Sequence, residues 1–385
     1  MINNKKVFSI IMECNPFHDG HKRILELTKN KYKADIIVVV MAGSFVQRGE
    51  PAIFDKYERA TSLIKHGADI VIELPVEYVL SSANLYARGA INILDKLGFV
   101  DNIVFGSNIN DINKLNNISN KILSIIKKDN TLDEDLDKKI KNNLKKGFSY
   151  PKATYDVLNI KLSPNDILAT QYINSLNEIK SNIIPIPIER DLKLKSATQI
   201  RNELYKSKKN KYIKLDDFSS FLNYILFHHY ENNLPLTDFY DVNNDLSNAI
   251  LKTSNENILI SERLELLNTK NRTLSYVKRN LLHILLNIRN RHLLNLKYGF
   301  DVSYIRILGI KKSSMDIIKY IDIPYIFSYS KKEKNNLIKK LEHKISKNRL
   351  DNIIKSIELN TYATNMYNYI AYNKQNELTK KALKI

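Results

Sequence analysis

Short β-branched runs alternate with amphipathic stretches along the first hundred residues, and this alternation limits the folds open to the chain more than any other feature. Val7 to Met12, Ala34 to Met41, Asp69 to Leu74 and Asn102 to Phe105 have the length and apolar content of buried strands. His21 to Lys31, Lys56 to His66 and Leu85 to Leu97 carry apolar residues at helical spacing. Gly67 and Gly98 stop the second and third of these helices, because glycine accepts the backbone that ends a helical run. Strands this uniformly apolar must be covered on both faces, which parallel strands joined by helices achieve. The expected fold is α/β, with a doubly wound parallel sheet.

Further along, Ile112 to Gly147 is charged and helical, and its mixed-sign stretch Asp133 to Lys146 reads as a solvated surface helix pair without chemistry. Turn and strand signals return over residues 163–201, where Pro164, Pro185 and Pro187 punctuate a helix at Asp166 to Asn177 and a last strand near Ile183 to Ile188. Beyond about Asn202 long helical periods take over, such as Phe218 to Tyr230 and Leu274 to Asn290. The expected organisation is an α/β domain over 1–204 and an all-α domain over 205–385, which 385 residues at 43% hydrophobic content can sustain. The lone Cys14 excludes an intramolecular disulfide framework or a cysteine-based zinc cluster. No apolar run approaches the roughly 18 residues that span a bilayer. Lys5 and Lys6 before Val7 to Met12 faintly imitate a signal peptide, but Glu13 follows at once and no small-residue cleavage site appears. A strand, and a cytoplasmic location without membrane contact, are expected.

Net charge is +19, and its distribution matters more than its size. Residues 1–200 hold 28 basic and 23 acidic side chains, whereas residues 201–385 hold 32 and 18. An excess concentrated in one half attracts a polyanion, since neutralising phosphates releases condensed counterions. The basic segment Lys270-Asn271-Arg272-Thr273-Leu274-Ser275-Tyr276-Val277-Lys278-Arg279, followed by Arg289 and Arg291, has the composition to track an RNA backbone, with Tyr276 available to stack a base. A solvated helix face is the alternative. Arg48, flanked in its loop by Gly43 and Gly49, is a further candidate for phosphate or RNA contact, or for an ion pair with Glu50.

Directly after the first strand stands Glu13-Cys14-Asn15-Pro16-Phe17-His18-Asp19-Gly20-His21. A helix N-terminus presents free N–H groups and a positive partial charge, so it receives phosphates. His18 and His21 can turn toward one phosphate chain, and Gly20 lets the backbone approach closely. Imidazoles there donate hydrogen bonds that stabilise charge growing on phosphate oxygens during in-line attack. No carboxylate lies at zinc-site spacing, and the P-loop pattern is absent, so no metal site is expected.

HxGH in this position resembles the nucleotidyltransferase superfamily that includes class I aminoacyl-tRNA synthetases and coenzyme adenylyltransferases. That likeness implies a Rossmann-like nucleotidyltransferase fold and a second, later motif that grips the β- and γ-phosphates. Ser196-Ala197-Thr198-Gln199-Ile200-Arg201 stands in its place, with hydroxyls for phosphate oxygens and Arg201 for the departing pyrophosphate. Six further segments narrow the likeness: 41–52 from Met41 to Ala52, 67–75 from Gly67 to Pro75, Phe105-Gly106-Ser107, 163–168 from Ser163 to Leu168, 185–190 from Pro185 to Arg190, and 304–309 from Tyr304 to Gly309 in the helical half. Together they resemble the tRNA(Met) cytidine acetate ligase family, over Val7 to about Tyr320. Only five residues separate Arg190 from Ser196, shorter than expected of relatives.

The resemblance implies an enzyme that forms acetyl-adenylate from acetate and ATP and then acetylates N4 of the wobble cytidine in elongator tRNA(Met), with magnesium accompanying the nucleotide. A carboxylate is a poor acyl donor until its oxygen carries AMP, and an anticodon base can be splayed into a pocket. The implied catalytic residues are His18, His21 and Arg201. The implied ATP site comprises Ile11, Met12, Glu13, Cys14, Asn15, Pro16, Phe17, His18, Asp19, Gly20, His21, Lys22, Arg23 and Ile24, with Gly106, Asn165, Arg190, Ser196 and Thr198. RNA-contacting candidates are Arg48, Lys270, Arg272, Lys278 and Arg279, and no stable protein partner is expected. Two alternatives share the motif: a coenzyme adenylyltransferase, and a non-catalytic RNA-binding protein on the same fold.

Overall fold

The computed structural model describes residues 2, 4–126, 134–145, 150–191, 193–207, 212–270, 272–290, 302, 304–371 and 376–385. Its centre is a sheet built from β1 (Val7–Met12), β2 (Ile36–Ala42), β5 (Ile70–Leu74), β6 (Asn102–Ser107), β7 (Ile184–Glu189), β8 (Ile305–Ile310), β9 (Tyr325–Ile326) and β10 (Leu383–Lys384). A separate hairpin pairs β3 (Phe45–Val46) with β4 (Glu50–Pro51). The strand order is β10-β8-β5-β2-β1-β6-β7, with β9 beside β8. All neighbours from β5 to β7 run parallel. Every residue of β1, β2 and β5 is buried, the burial that their unbroken apolar runs demand.

Alternation along each strand divides the interior into two cores. Val7 and Ile11 of β1 face a core completed by the helices Ala83–Lys96 and Pro164–Ile179, through residues such as Tyr86, Ala90, Ala169 and Tyr172. Phe8, Ile10, Met12 and then Cys14 face the other, closed by the helices Asp19–Asn30 and Lys56–Lys65 through Leu25, Tyr57, Ala60 and Leu63. Period-two geometry thus sends consecutive residues leaving β1 to opposite sides of the sheet.

The second half is largely helical, with helices Ser219–Glu231, Asn244–Leu251, Ile260–Leu266, Leu274–Leu285, Lys331–Leu341 and Lys347–Ile370. It is not all-α, contrary to the expectation for 205–385, because segments of it join the sheet. The segment read inside the helical half, Tyr304 to Gly309, forms most of β8, which pairs antiparallel with β5 through a bulge at Val71/Ile72. The strand β10 then pairs with β8 at the sheet edge. Four aliphatic residues interrupted by Arg306 and Gly309 carry no clear local strand signature among helical periods, and pairing with β5 decides their state. One hydrophobic core holds residues from both sides of position 205, from Val38 and Tyr86 to Leu222, Leu281 and Tyr367. Phe45 meets Phe218 at 5.9 Å and Tyr367 at 6.3 Å between ring centroids.

The helix Ile112–Ile126 packs inward along one face, where Leu115 and Ile122 are buried and the Ser119 hydroxyl donates to Asn174 on Pro164–Ile179. Glu134–Lys145 occupies the described part of the mixed-sign stretch, whose ends at Asp133 and Lys146 lie outside the described residues.

A buried charged cluster ties the chain's last residues to the sheet. Lys56 Nζ donates to both oxygens of Glu73 (2.8 and 2.9 Å) and lies 2.8 Å from Glu377 Oε1. The Tyr57 hydroxyl donates to the Glu377 carboxylate at 3.0 Å, and Arg306 Nη2 approaches Glu377 at 3.7 Å.

Candidate active site

The carboxyl ends of β1, β6 and β7 open into a cleft of about 480 Å³, where ligands of open α/β sheets bind. Its walls include residues from Ile11 to Asn15, together with His18, Gly20, His21, Arg23 and Ile24. Across the cleft stand Gly106, Asn165, Arg190, Ser196, Thr198 and Arg201, so segments nearly two hundred positions apart meet around one space. Pro16, Phe17, Asp19 and Lys22 stand behind this lining. Phe17 stacks on His21 with ring centroids 5.8 Å apart, and exposed Lys22 pairs with Glu26 at 3.8 Å.

The helix Asp19–Asn30 begins with His18 as its N-cap, and its dipole points at the cleft. His18 Nδ1 accepts the Gly20 N–H at 3.0 Å, and His21 Nδ1 accepts the His18 N–H at 3.3 Å. The rings lie 3.9 Å apart between centroids. Burial lowers the pKa of both, assisted at His18 by Arg190 and Arg201, and it takes His21 to about 3 with His18 contributing. Both are therefore neutral imidazoles at neutral pH. Because each Nδ1 accepts, the proton of each ring resides on Nε2, leaving two donors for phosphate oxygens. Gly20 is required here: a Cβ would lie 2.8 Å from His18 Cε1 and displace the ring.

A second helix start faces the first. Ser196 caps Ala197–Lys206 by accepting the Gln199 N–H at 3.3 Å, while Gln199 Oε1 accepts the Ser196 N–H at 2.8 Å. Its hydroxyl is occupied by this capping box, also donating to Gln199 at 2.9 Å. Arg201 is buried one turn on; it donates to the Asn15 carbonyl at 2.7 Å and to the Thr198 hydroxyl at 3.2 Å. The later motif is thereby bonded to the backbone of the earlier one.

On the β6 side the Asn165 amide meets Arg190; with its oxygen turned toward the guanidinium, the orientation that its surroundings favour, it accepts from Nε at 2.8 Å and Nη1 at 3.1 Å. The Arg190 stem crosses the strand end beside Gly106, where a Cβ would make an ordinary contact with Arg190 Cγ at 3.4 Å. The helix cap of Pro164–Ile179 is Ser163, which leaves the Asn165 side chain to the cleft. Asp166 does the positioning: it accepts from the hydroxyls of Ser107 and Ser163, each at 2.6 Å, and from the Asn108 N–H at 2.8 Å. Burial alone would raise the Asp166 pKa, but these donors overcome it and hold it below the ordinary carboxylate value.

Arg59 is the buried residue that sequence reasoning missed. It donates to the carbonyls of Glu13 (2.8 Å), Ala42 (2.9 Å) and Phe54 (3.0 Å), and also to that of Gly43. It thus fixes the chain leaving both β1 and β2. Gln47, Tyr86 and Tyr172 also line the cleft without having been singled out. A cation within an amphipathic helix, and tyrosines at core spacing, carry no local mark of such roles. Cys14 is buried, and burial pushes its thiol up to about 12, so it offers no thiolate.

The basic candidates separate. Arg48 is exposed at the cleft, Lys270 is exposed and Arg272 half-exposed. Lys278 is engaged with Glu50, and Arg279 is buried with Nη1 donating to the Gln47 carbonyl at 3.3 Å. The helix Leu274–Leu285 turns this face inward, against the hairpin loop, rather than toward solvent. Arg289 ends beside Phe239 and Asp238, and Arg291 lies outside the described residues.

The HIGH Nucleotidyl Transferase family model matches residues 5–214 and 201–382. The chain is 34% identical to a tRNA(Met) cytidine acetate ligase of Thermoanaerobacter sp. (strain X514), with 94% of each chain covered. It is 43% identical to one from Clostridium acetobutylicum across 53% of this chain and 55% of that one. The crystal structure of Thermotoga maritima TmcAL bound with alpha-thio ATP superposes with a TM-score of 0.81 at 25% identity, covering 98% of this chain and 97% of that one.

Proposed function

Because this chain belongs to the tRNA(Met) cytidine acetate ligase family, we propose that it joins acetate to N4 of the wobble cytidine of elongator tRNA(Met) at the expense of ATP. Its expected α/β nucleotidyltransferase fold and ligase class agree with the match over nearly the whole chain. In the first step an acetate oxygen attacks the α-phosphorus, and the bond to pyrophosphate breaks. His18 and His21 donate through Nε2 to the phosphate under attack, while Arg201 balances charge on the departing pyrophosphate. In the second, the cytidine amine attacks the acetyl carbon, AMP leaves with the bonding pair, and the amine loses a proton.

Support for the nucleotide comes from the similar structure holding alpha-thio ATP and from two helix starts facing one cleft here. Among the described residues no group of three His, Cys, Asp or Glu could hold a metal, so magnesium would be held by phosphate oxygens and water. The basic excess beyond residue 205 would meet the tRNA, with Arg48, Lys270 and Arg272 the accessible cations. No described helix is long and apolar enough to cross a membrane, and we place the protein in the cytoplasm with its tRNA.

The observation that carries this reading is similarity to ligases of that name over 94% of the chain, helical half included, which a compact coenzyme adenylyltransferase would not explain. Incubation with ATP, acetate and bulk tRNA, followed by nucleoside mass spectrometry, should yield N4-acetylcytidine only when all three are present. Acetylation without ATP, or none at all, would contradict the proposal.

A further inference from the structure

Glu13 sits in the cleft but on the other side of the sheet from the histidines. Ile11 belongs to the core closed by Ala83–Lys96 and Pro164–Ile179, while Met12 and Cys14 belong to the core beneath the helix that starts at His18. Alternation therefore points Glu13 away from the imidazole pair. Its neighbours agree: Oε1 accepts the Gln47 N–H at 2.7 Å, and its charge acts on the hydroxyls of Tyr86 and Tyr172. Those tyrosines are only 2% and 5% exposed and line the cleft, yet among the described residues neither hydroxyl has a hydrogen-bond partner. Glu13 Oε2 likewise has none there. None of the three is among the buried atoms left without a partner, so all three open to the cleft, unengaged by the protein, and together offer polar groups to a ligand placed there.

Two tyrosine hydroxyls beside a carboxylate do not suit acetate, because a second carboxylate would face a like charge. They suit a flat ring with acceptors on one edge and an exocyclic amine on the next. Cytosine has that edge: its amine donates to carboxylates, and its O2 and N3 accept. Resting on the ligase reading above, we propose that this arm of the cleft receives the target cytosine and that Glu13 binds its N4 amine and takes the proton released during acetyl transfer. The N4–C bond forms, the acetyl C–O bond to AMP breaks, AMP departs with the electron pair, and the N4 proton moves to Oε2. A cytosine amine is a weak nucleophile, its lone pair being delocalised into the ring, and it needs such a base. Burial raises the Glu13 pKa, against the Gln47 amide and Arg48, Arg201 and Arg59, which brings it nearer the range of an effective base. Uridine, lacking the amine, would be refused.

The test compares two acceptors with one enzyme. Hydroxylamine captures acetyl-adenylate without assistance, whereas tRNA needs the base. With the full chain, ATP and acetate, Glu13→Gln should lower the ratio of acetyl-tRNA to acetohydroxamate formation by about 10²–10⁴ relative to the natural chain. Glu13→Asp, which keeps the carboxylate, should recover part of that ratio and serves alone if Glu13→Gln does not fold. A ratio unchanged within about threefold in both variants, whether both products persist or fall together, would overturn the assignment. No acetate-dependent hydroxamate from the natural chain would instead sink the ligase reading, and this role with it.

Discussion

His21→Ala should slow acetate-dependent ATP–pyrophosphate exchange by about 10²–10³, the usual cost of removing one preorganised donor from a developing oxyanion. Affinity for tRNA should hardly change, since no part of that surface depends on the ring. The prediction follows from the tautomer. His21 Nδ1 is occupied by the His18 N–H, its pKa lies near 3 without nucleotide, and Nε2–H is what remains to meet a phosphate. The backbone loses only that 3.3 Å bond, so the fold should survive. His18→Ala is a less clean probe, because His18 caps its helix and the cap alone contributes about 1 kcal/mol. Equal losses of exchange and tRNA affinity in His21→Ala would mean a damaged fold, not a missing donor.

Lys56→Met should destabilise the protein by about 3–5 kcal/mol, measured by urea unfolding, because it leaves carboxylates buried without their principal cation. Lys56 is 1% exposed and serves both Glu73 and Glu377, with the Thr364 hydroxyl at 3.2 Å. Arg306, 3.7 Å from Glu377, cannot replace a contact at 2.8 Å to each partner. The deficit should depend on pH. Burial already raises the Glu73 pKa, with Glu377 adding to the rise and Lys56 opposing it, so losing Lys56 raises it further. A carboxyl whose folded pKa exceeds its unfolded value favours the folded state below the unfolded pKa, and that advantage is lost as pH rises through the folded pKa. The variant should therefore be least impaired at acidic pH and worst above neutrality; a deficit that grew on acidification would contradict the role of the cluster.

Much of this was legible in sequence because it is local. The parallel strands announced themselves by unbroken apolar runs, and β1, β2, β5, β6 and β7 lie within two residues of where those runs placed them. The histidine pair was legible by spacing, since three residues at a helix start suffice to bring His18 and His21 to one side. What escaped depends on distant partners. The strand Ile305–Ile310 exists through β5, more than two hundred positions earlier. Arg59 looked like any cation on an amphipathic helix until the carbonyls of Glu13, Ala42 and Gly43 converged on it. Lys278 and Arg279 looked like a solvated basic face, and it is the hairpin loop folding over Leu274–Leu285 that commits them to Glu50 and Gln47. Asp166 stood next to the residue that was singled out, but its four-way bonding to Ser107, Asn108, Ile109 and Ser163 spans about sixty positions.

The central claim is that one triphosphate is held where β1 gives way to the helix Asp19–Asn30, beneath two neutral imidazoles. A crystal structure of this protein with a nonhydrolysable ATP analogue tests it most directly. The α-phosphate oxygens should lie within about 3 Å of Nε2 on His18 and His21, with Arg201 toward the leaving phosphates. A nucleotide bound elsewhere, or one whose phosphates turn toward Tyr86 and Tyr172 while the histidine cradle stays empty, would contradict it.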